Sequence, residues 1–138
     1  MKPAIYIETT IVSYLAARPS RDPFLLGCQR LTRRWWREKR RGYEMFTSDA
    51  VIGEAARGNA AMAGKRVRLL RSLKQLASTN DTNALAALLI ESGIIPSAAA
   101  GDAMHVAISA IFEMKYLLTW NCTHLARSEE HTSELQSQ

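Results

Sequence analysis

Glu8, Glu54, Asp102 and Asn121 each stand where oxygen chemistry becomes possible. Glu8 closes "AIYI", a short run of β-branched, aromatic and small residues that reads as a buried strand. Two threonines and the helical pattern Ile11, Val12, Tyr14 and Leu15 follow at once. Glu54 falls in a short helical stretch beside Val51 and Ala55. Asp102 lies in the first turns of a helix of Ala, Met, Val and Ile, where a charge is rarely buried without a partner. Thr119 and Asn121 end the strand-like "KYLLTWN". Carboxylates that meet hold hard cations such as Mg²⁺ or Mn²⁺, which keep several waters, and a carbonyl oxygen such as that of Asn121 also suits them. Each acid also has a plain structural reading. Glu54 can be a solvated helix residue, Asp102 a complement to a helix N-terminus, and Glu8 a cap.

These residues meet only if the elements bring them together. After the first strand and helix, "RPSRDPF" is a loop, with Asp22 as N-cap and Pro23 opening a second helix. Phe24, Cys28, Leu31 and Trp35 suggest its apolar face, and Gly42 is the expected C′ residue after a cationic end. "YEMFTS" reads as a strand, and Ser48 caps a third helix that ends near Gly58. A fourth helix starts at Ala60, "LKQLAST" ends in a strand, "DTNALAALLIESG" is helical, and Ser97 caps the helix that carries Asp102. Strands alternating with helices imply an α/β sandwich on a parallel sheet. In such sheets, sites form beyond the carboxyl ends of the strands.

Bulk composition narrows the partners. The 138 residues fit one domain with a sizeable core, and 47% hydrophobic with 22% charged residues is ordinary for a globular protein. No apolar run approaches a membrane span, the N-terminus lacks a secretory apolar region, and two cysteines define no disulfide framework. A cytoplasmic setting without membrane contact is the expectation. A net charge of +5 alongside clustered acids points to a polyanion, with nucleic acid first. "RRWWREKRR" divides evenly between a solvated helix face and a phosphate-contacting patch of Arg33, Arg34, Arg37, Arg40 and Arg41, with Trp35 in the core and Trp36 free to stack a base.

In order and at fitting separations, "YIETTIVSYL", "TSDAVIGEAARG", "DAMHVAISA" and "LLTWNCTHLA" resemble the PIN-domain nucleases, more narrowly the VapC-type toxins of toxin–antitoxin systems. The resemblance spans residues 4–126. It implies a PIN-like α/β/α sandwich and a metal-dependent endoribonuclease that uses Mg²⁺ or Mn²⁺, acts on RNA and pairs with an antitoxin; it allows a homodimer. The family's four acidic positions fall on Glu8, Glu54, Asp102 and Asn121. The resemblance makes Glu8 and Asp102 metal ligands, with Glu54 holding a second metal or orienting the attacking water. Asn121 and Thr119 would tether waters or phosphate oxygens. The first position is usually Asp and the fourth often Asp, so Glu8 lengthens one arm and Asn121 removes one charge. These departures also fit a PIN module that binds RNA or a protein without cleaving.

Other features carry less. "GNAAMAGKR" lacks the spacing and following hydroxyl of a phosphate loop, and Cys122 with His124 does not complete a zinc site. His105, three residues after Asp102, reads as a core or rim histidine. The stretch from Arg127, "RSEEHTSELQSQ", resembles the in-frame translation of a common sequencing adapter through Ser137. The expectation is therefore a PIN-like nuclease domain over residues 1–126, truncated and missing its last strand, followed by a non-native tail at 127–138. Without Arg127, Glu129, Glu130 and Glu134, 17 basic and 10 acidic residues remain.

Overall fold

A computed structural model describes residues 1–121; Cys122, His124 and the expected tail lie outside the described residues. Within them, four strands alternate with six α-helices. The strands are β1 (Ala4–Ile7), β2 (Glu44–Ser48), β3 (Lys74–Leu76) and β4 (Tyr116–Leu118). The helices are α1 (Thr9–Ala16), α2 (Pro23–Glu38), α3 (Asp49–Ala55), α4 (Ala60–Arg71), α5 (Asn80–Glu91) and α6 (Ala100–Ile111). All strand pairs are parallel, in the order β3-β2-β1-β4. β1 is central, and its Ile5, Tyr6 and Ile7 are buried, as an apolar run covered on both faces should be.

The chain steps outward from β1 to β2 to β3, then crosses back to β4 on the far side of β1. Parallel crossovers are right-handed, so reversing direction moves the connecting helices to the opposite face. Accordingly α1 packs with α2, α3 and α4, whereas α5 packs with α6. The result is the expected α/β/α sandwich. Its main core joins Ile5, Ile7, Val12, Trp36, Val51 and Leu70. A smaller core of Ala86, Ile95, Ala103 and Ala107 lies between α5 and α6.

Local signals hold at several helix starts. The Asp22 side chain accepts from the Phe24 N–H ahead of α2, and Ser48 Oγ accepts from the Val51 N–H ahead of α3. The buried face of α2 differs from the expected stripe. Cys28, Gln29, Thr32 and Trp36 point inward, while Phe24 and Leu31 are 75% and 56% exposed. Polar side chains decide this. Thr32 Oγ1 donates to the Cys28 carbonyl and accepts from Trp120 Nε1–H, and Gln29 is bonded to the backbone of Arg18 and Ser20. Satisfied polar groups can be buried, which a hydropathy stripe does not register. Trp36 is therefore core rather than a stacking platform. Gly42 closes a 3₁₀ turn (Arg40–Gly42) without a positive φ, and Ser97 begins another such turn (Ser97–Ala99) instead of capping α6.

The reversal of direction leaves a crevice between the carboxyl ends of β1 and β4. Glu8 follows β1 there, and Thr119 follows β4.

Candidate active site

The backbone of Glu8 prolongs the sheet, its N–H donating to the Leu118 carbonyl at 3.1 Å, while its carbonyl receives the Ile11 N–H that starts α1. Its side chain is only 5% exposed. Burying a carboxylate requires compensating donors, and two threonines supply them. Thr10 Oγ1 and Thr119 Oγ1 each donate to Glu8 Oε1 at 2.5 Å. Backbone amides set the direction of both bonds. The Trp120 N–H donates to Thr10 Oγ1 and the Asn121 N–H to Thr119 Oγ1, both at 2.9 Å. An amide can only donate, so each hydroxyl oxygen accepts there and its proton turns to the carboxylate.

Glu54 reaches the same place from α3. Its Oε1 accepts from Thr9 Oγ1 at 2.5 Å and from His105 Nε2 at 2.6 Å. Burial pushes the Glu54 carboxyl upward, but the hydrogen bond and charge of His105, the Thr9 hydroxyl and Arg57 outweigh it, and its pKa falls below the ordinary value. Oε2 faces Gly101 on α6, where a Cβ would stand 2.9 Å away. His105 is 1% exposed, and its Nδ1 lies 2.7 Å from the Tyr6 hydroxyl, which is also 2.7 Å from Ser48 Oγ. Burial drives the Tyr6 pKa far above the tyrosine range, despite the lowering effect of the Ser48 hydrogen bond.

One ligand atom each from Glu8, Glu54 and His105 lies within 4.8 Å of the others, and among the described residues this is the group of that kind. Asp102 stands outside that trio. Asn121 Nδ2 donates to both of its oxygens, at 2.9 and 3.1 Å. Asn121 thus ties Asp102 through Thr119 to Glu8, joining four of the five expected residues in one bonded network, while Glu54 is held beside it by Thr9 and His105. His105, read from the sequence as a core or rim histidine, joins Glu8 and Glu54 in this trio. The helical spacing of Asp102 and His105, three residues apart on one face, was the signal for it. The "TT" after Glu8 was the signal for Thr9 and Thr10. Ser48 was marked only as a helix cap, and nothing local marked Tyr6 or Gly101.

The five arginines do not form one patch. Arg33 donates to the Ala17 carbonyl, tying α2 to the end of α1. Arg34 and Arg37 lie 3.5 Å from Glu38 on an exposed surface. The Arg40 guanidinium lies 5.5 Å from the Trp36 ring. Arg40 and Arg41 line a hollow with Lys2, Glu44 and Lys74, at the amino ends of the strands. That is the edge of the sheet opposite Glu8.

No protein-family model matches this sequence, and no curated protein matches it. Among solved structures it is similar to the crystal structure of VapC20 from Mycobacterium tuberculosis, a sarcin–ricin loop cleaving toxin. The TM-score is 0.66 at 17% identity, over 89% of this chain and 94% of that one. The two chains share a fold. A parallel sheet with paired carboxylates at its switch point is what the PIN-like reading requires of the architecture.

The donor set suits a divalent cation. Two carboxylates this close repel one another, and a shared cation relieves that repulsion.

Proposed function

We propose that this chain is a metal-dependent endoribonuclease, the toxin of a toxin–antitoxin pair, with Mg²⁺ or Mn²⁺ held by Glu8 and Glu54 and with RNA as substrate. The observation that supports it most is the pair of hydrogen-bonded carboxylates at the switch point of a VapC fold. When bound, the cation supplies an activated water and neutralises charge on the scissile phosphodiester. The chain's own residues do the rest. Thr10 and Thr119 hold Glu8, Thr9 and His105 hold Glu54, and Asn121 holds Asp102 at the rim. This prefixed arrangement spares reorganisation during reaction. Asp102 and Asn121 would orient water or phosphate oxygens. A cytoplasmic setting and a protein antitoxin belong to the same proposal. No described helix is long and apolar enough to cross a membrane.

The test is incubation of the purified chain with RNA in Mg²⁺, in Mn²⁺ and in EDTA. Cleavage in either metal, absent in EDTA and abolished by Asp102→Asn with fold and RNA binding retained, is the expected result. RNA binding without cleavage would favour the non-cleaving module instead. Cleavage that survives EDTA and Asp102→Asn would overturn the proposal.

A further inference from the structure

We propose that His105 is a positioning residue for Glu54, aimed from the core by Tyr6 and Ser48. The inference rests on the reading of Glu54 as a metal-binding carboxylate. Four elements meet in the chain of bonds, and each link is short. Ser48 ends β2 and its Oγ accepts from the Val51 N–H of α3, the helix that carries Glu54. Ser48 Oγ and the Tyr6 hydroxyl of β1 are 2.7 Å apart, Tyr6 and His105 Nδ1 of α6 are 2.7 Å apart, and His105 Nε2 and Glu54 Oε1 are 2.6 Å apart. Ser48 and Tyr6 are fully buried, and His105 is 1% exposed.

Donor counting from the carboxylate gives the chain a direction. The Glu54 carboxylate can only accept, so Nε2 carries the proton between them. In the neutral ring Nδ1 then accepts from the Tyr6 O–H, and Ser48 Oγ, which takes the Val51 N–H, offers its own proton to the Tyr6 oxygen. The opposite order would leave a bare Nε2 against a carboxylate, two acceptors at hydrogen-bond distance. A depressed Glu54 pKa agrees with a carboxylate that accepts.

Two measurements test the proposal. The first is the ¹⁵N-detected ring spectrum of His105 in the metal-free protein, which needs no activity. A proton on Nε2, with a signal displaced by Glu54→Gln and by Tyr6→Phe, is expected. A ring protonated only on Nδ1 would overturn the assignment. The second compares His105→Gln, whose amide can replace the Nε2 donor, with His105→Asn, which reaches only toward Tyr6. His105→Gln should keep Mn²⁺ affinity and kcat near wild type. His105→Asn should lose about ten- to a hundredfold in both, with KM for RNA unchanged. Equal losses in the two variants, or none in either, would contradict a positioning role. If the wild-type chain binds no Mn²⁺ and cleaves no RNA, the proposed function fails, while the ring spectrum still decides the role of His105.

Discussion

Glu8 shows how a single methylene sets a site. Its Oε1 meets hydroxyls from both sides of the crevice, Thr10 on α1 and Thr119 beyond β4, each at 2.5 Å. An aspartate in its place would withdraw the oxygens by one carbon and lose at least one of those bonds. Glu8→Asp is therefore expected to weaken Mn²⁺ binding and to lower cleavage, although it restores the side chain usual at this position. Each lost hydrogen bond to a charged group is worth about 1.5–3 kcal/mol. Calorimetric Mn²⁺ titration of the variant checks this, and unchanged affinity would show that the threonines only fill space. The sequence made Glu8 conspicuous, since a carboxylate at the tip of an apolar strand asks for a partner. It did not show which partners, because the threonines lie 2 and 111 residues away and only the fold joins them.

At the scale of elements, α6 is the piece that completes the site. It buries Ala103, His105, Ala107 and Ile108, presents Asp102 at its first turn, and yields space at Gly101. Gly101 lies within a helix at an ordinary φ, so alanine should favour the helix itself by roughly 0.5–1 kcal/mol. The added Cβ would nevertheless stand 2.9 Å from Glu54 Oε2, and that carboxylate is held by Thr9 and His105 against moving aside. Gly101→Ala is expected to lower cleavage sharply, while the gain in helix propensity offsets part of the clash so that the melting temperature falls only slightly. A large loss of both would mean that the residue serves packing rather than the site. Alternating strands and helices were legible from residue patterns, since periodicity and caps are local. The inward face of α2 was not. It depends on Thr32 and Gln29 finding polar partners on other segments, and hydropathy assigns such residues to solvent.

At the scale of the molecule, polar chemistry runs through the centre of the fold. Tyr6 sits in the middle strand and stays protonated far beyond its ordinary pKa. Its folded value is raised, so the stability linked to it is complete below the unfolded value of about 10 and declines as pH rises above that value. Alkaline unfolding of the wild type should begin in that range, and Tyr6→Phe should be less steep there even if less stable at neutral pH. Identical slopes would mean that Tyr6 is not the group responsible. The charge distribution is equally global. Arg40 and Arg41 border the sheet edge opposite Glu8, so a run of cations in sequence became contacts on separate surfaces. Their helix order was visible in the chain, but the side of the sheet to which each turned was not.

Whether Glu8 and Glu54 share one cation is decided by equilibrium Mn²⁺ binding to the purified chain. Saturable binding is expected in the wild type, weakened by Glu8→Gln and by Glu54→Gln, with the double variant losing no more than the worse single one. Wild-type affinity in both single variants, or losses that simply add, would contradict a shared site.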